Sequence, residues 1–134
     1  MSTSDTPPSE LLVVCLCAEW CGVCREYRSA FDGLARERSD AAFHWIDVEA
    51  DAERVGDLEV ENFPTILIQR GESVLFYGTM LPQPVHLRRA IDTLAALSPD
   101  EARARAAACV ADAQWQAAAA LGCLLLEDAQ RDRT

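Results

Sequence analysis

An α/β fold, with helices packed on a mixed sheet, is the architecture this sequence predicts, and three observations carry the prediction. Leu11 to Cys17 (LLVVCLC) is an unbroken apolar run of strand length, as a strand covered on both faces requires. Segments of helical period alternate with β-prone runs as far as Leu97. Thr65 to Gln69 (TILIQ) and Ser73 to Tyr77 (SVLFY) flank Arg70-Gly71-Glu72, a short glycine-containing link that predicts an antiparallel hairpin.

Taken in order, residues 1–10 are rich in Ser, Thr and Pro and are expected to be a flexible leader. After the first strand comes the turn Trp20-Cys21-Gly22-Val23-Cys24. From Cys24, the residues Tyr27, Phe31, Leu34 and Ala35 recur at helical spacing and predict a helix to about Arg38. Phe43 to Val48 (FHWIDV) reads as a strand. Asp51 to Leu58 fits a short helix with Ala52, Val55 and Leu58 inward, weakened by Gly56. Leu87, Ala90, Ile91, Leu94 and Ala95 mark an amphipathic helix ending near Leu97.

Ser98-Pro99-Asp100-Glu101 then restarts a helix. Ser98 fits the N-cap, Pro99 the first helical position and Glu101 the reciprocal acid of a capping box. The Ala-rich segment beyond is expected to be helical to about Glu127, with Gly122 a point of interruption. Its Val110, Trp115, Leu121, Leu124, Leu125 and Leu126 are expected to pack on the sheet or the preceding helix, with a homodimer seam as the second use. The expected organisation is a leader at 1–10, one α/β domain at 11–97, and a helical extension at 98–134 packed on the same domain.

The chain has 134 residues, enough for one domain with a real core, and a formal net charge of −10. That charge argues against nucleic acid and against anionic membrane surfaces, both of which need clustered Lys and Arg. Met1 to Pro8 has no basic residue, unlike a secretory signal, and Leu11 to Ala18 is too short to cross a bilayer. The expected compartment is the cytoplasm, where thiols stay reduced. Six cysteines there are catalytic, metal-binding or buried packing rather than a disulfide scaffold.

Cys21 and Cys24 are the cysteines with a chemical position. Cys21 falls between a strand and a helix start, where unpaired N–H groups and the helix dipole favour thiolate over thiol. Thiolate is the attacking species in disulfide exchange. Cys24, one turn further in, is expected to be shielded and to act as the resolving thiol. Gly22 permits a tight turn and Trp20 offers a flat apolar wall. Zinc and iron–sulfur sites use the same spacing, so the pair alone does not decide.

Context decides. With "AEWCGVC" (Ala18–Cys24) and "FPTILI" (Phe63–Ile68) in this order of elements, the sequence resembles the thioredoxin family over roughly Leu11 to Leu97. The resemblance implies a thioredoxin-like fold and dithiol/disulfide exchange on protein disulfides. Cys21 would be the nucleophile and Cys24 the resolving thiol. Trp20, Gly22, Val23, Phe63, Pro64 and Gly78 would shape the substrate groove, with Pro64 where the family keeps a cis-proline. It also implies a reductase or small-thiol electron donor and no bound cofactor or metal. Net reduction is the expected direction. An adaptor or chaperone of the same fold, with little turnover, is the alternative.

Three departures stand out. Ten residues before the dithiol strand are too few for the family's extra strand and helix, so a trimmed sheet of four strands is expected, with the C-terminal helix covering the exposed part. The family's buried Asp falls on Cys15 and its Lys partner on Trp45, so both halves of an ion pair are missing together. Slower deprotonation and resolution by Cys24 are expected in consequence. Finally, Val23 replaces the usual proline of the loop, which changes the thiolate's stabilisation.

Cys15 and Cys17 are two apart on a strand and share a face. Small buried hydrophobes are the favoured reading, over a four-thiolate metal site with Cys21 and Cys24 and over an electron relay. Cys109 and Cys123 read as packing as well. His44 and His86 have no partner constellation that suggests hydrolysis.

Overall fold

The computed structural model describes residues 11–18, 22–38, 41–50, 52–55, 64–70, 73–81, 83–108, 118 and 121. The elements run β1 (Leu11–Cys17), α1 (Gly22–Glu37), β2 (Ala41–Asp47), α2 (Ala52–Val55), β3 (Thr65–Arg70), β4 (Ser73–Thr79), α3 (Pro84–Ala95) and α4 (Pro99–Ala108). One four-stranded sheet has the order β2-β1-β3-β4. β1 and β2 are parallel, as the crossover through α1 requires, and β3 is antiparallel to both β1 and β4.

β1 is buried from end to end because both faces of the sheet are covered. Its residues divide by parity. Leu11, Val13, Cys15 and Cys17 join the core formed with Cys24, Tyr27, Phe31 and Leu34 of α1 and Leu87, Ile91 and Leu94 of α3. Leu12, Val14 and Leu16 join the opposite core with Ile46, Val55 and Leu67. Period-2 alternation thus becomes two apolar layers, which is why no polar residue interrupts the run.

That second layer is completed by Ala118 and Leu121, both helical and 0% and 2% exposed. Ala118 and Leu121 therefore lie on the face that α1 and α3 leave open. Trp115, Val110, Cys109, Cys123 and Leu124 to Leu126 lie outside the described residues.

The boundaries differ from the sequence expectation where a partner strand or an exposed turn sets them. β2 begins at Ala41 because Ala41 and Ala42 pair with Leu11 and Leu12 of β1. α1 begins at Gly22, two residues before Cys24, because the exposed Gly22 and Val23 add nothing to the buried helical period. Arg70, expected in the hairpin link, is the last residue of β3. Its guanidinium is buried and donates from Nη1 to the Leu97 carbonyl (2.9 Å) and from Nη2 to those of Leu94 (3.1 Å) and Ala95 (3.3 Å). The last carbonyls of a helix lack i+4 partners, and although Leu94 also accepts the Leu97 N–H at 3.3 Å, a fixed cation there supplies further hydrogen bonds and favourable dipole contact.

A bulge between Ile68 and Gln69 of the β3–β4 register lets Leu75 and Phe76, adjacent in sequence, both pack toward α1 and α3. The Leu75 carbonyl accepts from Arg105 Nε of α4 at 2.5 Å, and Ala102 of the same helix is 2% exposed in this core. The expected capping box starts α4. Ser98 N–H donates to Glu101 Oε1 at 2.8 Å, and Glu101 N–H donates to Ser98 Oγ at 3.1 Å. Ser98→Ala removes one of these bonds and should lower stability by about 1 kcal/mol, read as an earlier urea midpoint with an unchanged slope.

Candidate functional site

The end of β1 and the first turn of α1 bring cysteines together. Cys17 closes the strand on the α1 side of the sheet, and Cys24 enters from the helix with its side chain inward. The two are joined by a disulfide with Cα atoms 5.9 Å apart, an ordinary separation for such a bond. Cys17 is 0% and Cys24 1% exposed.

This corrects the reading of Cys17 as packing alone. Cys24 is shielded, as expected of a resolving thiol, but the sulfur bonded to it is Cys17. Cys21, Trp20 and Phe63 lie outside the described residues. Strand parity puts Cys17 on one face with Cys15, whereas the docking of α1 on that face, which brings Cys24 to it, is seen only in the fold.

Cys15 is the free cysteine among the described residues, with Sγ 3.8 Å from Cys17 Sγ. Burial pushes its thiol well above the usual range, and the Arg28 guanidinium offsets this only in part. Cys15 therefore stays protonated at neutral pH and is no proton acceptor there. Tyr27 is shifted upward too, first by burial and then by Cys15. Its hydroxyl is buried with no hydrogen-bond partner among the described residues.

One row of residues crosses the sheet: Trp45, Cys15, Ile66 and Gly78 are successive partners on β2, β1, β3 and β4. Arg28 of α1 stacks on the Trp45 ring at 5.0 Å and pairs with Asp32 at 3.7 Å. A cation thus returns from the helix to the place where the resemblance implies a strand lysine.

Beside this row, Ala18, Cys24, Arg25, Arg28, Trp45 and Asp47 line an open cleft of about 490 Å³. Asp47 shapes its rim by accepting the N–H groups of Glu49 (2.8 Å) and Ala50 (3.1 Å) in the turn after β2. Gly22 and Val23 are exposed at the start of α1, Val23 at 43%. Pro64 is buried directly before β3, and its carbonyl accepts from Met80 N–H at 3.2 Å. Gly78, partner of Ile66, is half-buried. Among the described residues no helix is long and apolar enough to cross a membrane.

Fold and site together define an α/β protein with a cysteine-bearing strand-to-helix junction. The thioredoxin family model matches residues 4–84, and the chain belongs to the thioredoxin family. It is 40% identical over 68 residues to thioredoxin H2-2 of Oryza sativa subsp. japonica, covering 50% of this chain and 51% of that protein. With thioredoxin-2 of Saccharomyces cerevisiae it shares 34% identity over 62 residues, covering 46% and 60%. The match thus spans only about half to three-fifths of these two relatives' lengths.

Among solved structures, the Drosophila melanogaster thioredoxin Deadhead superposes with a TM-score of 0.58 at 29% identity, covering 64% of this chain and 82% of that one. Fasciola hepatica thioredoxin gives 0.58 at 26%, covering 63% and 81%. The thioredoxin-like fold expected from the sequence, with its four-stranded mixed sheet, is the fold observed.

Proposed function

We propose that the protein is a thiol–disulfide oxidoreductase that reduces disulfides in protein substrates. The observation that carries this reading is Cys24, buried in the first turn of α1 and already holding a disulfide, three residues after a cysteine that directly precedes the helix. The Cys21 thiolate attacks one substrate sulfur, the other substrate sulfur leaves and takes a proton, and a mixed disulfide forms. Cys24 then loses its proton and attacks Cys21 Sγ, releasing the substrate as a dithiol and leaving a Cys21–Cys24 disulfide. Two electrons from a reductase or small thiol restore the pair.

Trp20, Gly22, Val23, Phe63, Pro64 and Gly78 form the groove in this reading, with Pro64 cis. The exposed Gly22 and Val23 and the position of Pro64 ahead of β3 support it. The chain works without a bound cofactor, in the cytoplasm, away from nucleic acid and membranes. Residues 11–97 are its domain and 98–134 an extension packed on it, which the burial of Ala102, Ala118 and Leu121 supports. That apolar packing leaves a homodimer through the extension as the lesser use.

An adaptor of the same fold is the second reading, favoured by the replacement of the ion pair with Cys15 and Trp45. Insulin reduction by dithiothreitol separates the two. Catalysis should bring turbidity forward in proportion to protein added, whereas curves that match the protein-free control would leave the adaptor.

A further inference from the structure

We propose that Cys17 is a third member of the exchange centre, so that Cys24 passes its disulfide between Cys21 and Cys17. This rests on the oxidoreductase reading for the role of Cys21, and on the observed bond for the role of Cys17. Cys17 is held in the sheet by pairing with Asp47 and by its carbonyl, which accepts Val48 N–H at 2.9 Å. Its sulfur faces the first turn of α1, where Cys24 meets it with the backbone geometry of an ordinary disulfide.

The step begins from a Cys21–Cys24 disulfide. Cys17 Sγ attacks Cys24 Sγ and gives up its proton to the sulfur that leaves. The Cys17–Cys24 bond forms, the Cys21–Cys24 bond breaks, and Cys21 leaves as thiol. One disulfide replaces another, so no electrons are gained or lost. The oxidation moves into a bond whose two sulfur-bearing residues are 0% and 1% exposed. Cys21 is thereby freed in a protein that is still oxidised.

Transfer stops at Cys17. Cys15 Sγ is 3.8 Å away, but a bond between them must span two residues of one strand, about 6.6–6.8 Å, at the upper limit for Cα atoms joined by a disulfide. The consequence is a protein with two oxidised forms. One has both active-site sulfurs tied. The other is a monothiol that forms mixed disulfides through Cys21 and cannot resolve them until the Cys17–Cys24 bond is reduced or returned.

Peptide mapping tests this without reference to activity. The folded protein is oxidised with diamide, capped with N-ethylmaleimide, and cleaved after Trp20 and Arg25 without reduction. We expect the peptide holding Cys15 and Cys17 to be linked to Cys21–Arg25, with maleimide on Cys21. The link should persist in Cys21→Ser and vanish in Cys17→Ala, and Cys17→Val serves if the alanine variant loses its circular dichroism. An oxidised wild type in which every Cys21–Arg25 peptide carries an internal disulfide, or a Cys21→Ser protein with no link, would overturn the proposal. Failure to reduce insulin with the link intact would sink the oxidoreductase reading instead and leave the bond standing.

Discussion

Cys21→Ser should reduce insulin no faster than dithiothreitol does alone, whereas Cys24→Ser should lose turnover but accumulate covalent adducts. A serine hydroxyl at Cys21 has no accessible anion near neutral pH, so the attacking step disappears. Removing Cys24 leaves that step intact and deletes the next one. Substrate then stays attached as a mixed disulfide, visible on a non-reducing gel and cleared by excess thiol. The two variants thus fail at different stages, which a merely structural role for either cysteine does not produce.

The same reasoning sets the pH dependence. Cys21 directly precedes α1, a helix of 16 residues with no acidic side chain in its first turn. The positive end of the helix is therefore not offset from within that turn, and Cys21 should alkylate with a midpoint below the ~8.5 of free cysteine. A midpoint at or above that value would remove the physical basis for Cys21 as nucleophile. Equal adduct formation by Cys21→Ser and Cys24→Ser would remove the assignment of roles.

The features legible in the sequence were those with a local rule behind them. An uninterrupted LLVVCLC run demands two covered faces, and both are found. Ser98 and Glu101 form their capping box because the motif involves only neighbours in the chain. Arg70 was opaque, because its role depends on where α3 ends, 24 to 27 residues later. The paired packing of Leu75 and Phe76 was hidden likewise, since a bulge breaks the alternation that strand reading relies on.

At the site, the position of Cys24 was readable from helical period, whereas its bond to Cys17 was not. Strand parity says which face a cysteine takes, but a disulfide depends on the distance between two elements. The replacement of the ion pair was visible as Cys15 and Trp45. Arg28 stacking over Trp45 was not, because a cation from α1 meets β2 only once the helix has docked.

That docking should hinge on Phe31, and Phe31→Ala is expected to cost about 3–5 kcal/mol of stability. The ring is 2% exposed in the core between α1 and the sheet. It meets Phe43 edge-on at 5.4 Å and Trp45 at 5.6 Å, with Tyr27 tilted against it at 6.4 Å. Alanine leaves a void that the strand aromatics cannot fill without leaving β2, so both transfer energy and packing are lost. Phe31→Leu keeps most of the volume and should cost under about 1.5 kcal/mol. Urea unfolding of both variants, with slopes compared, reads the difference. A double-mutant cycle with Phe43→Ala should return roughly 0.5–1.5 kcal/mol of coupling. Because α1 also carries Cys24, the alanine variant should reduce insulin more slowly even where it remains folded. A loss below 1 kcal/mol would mean that α1 is not held by this aromatic contact, and that the helix placing Cys24 against Cys17 is anchored elsewhere.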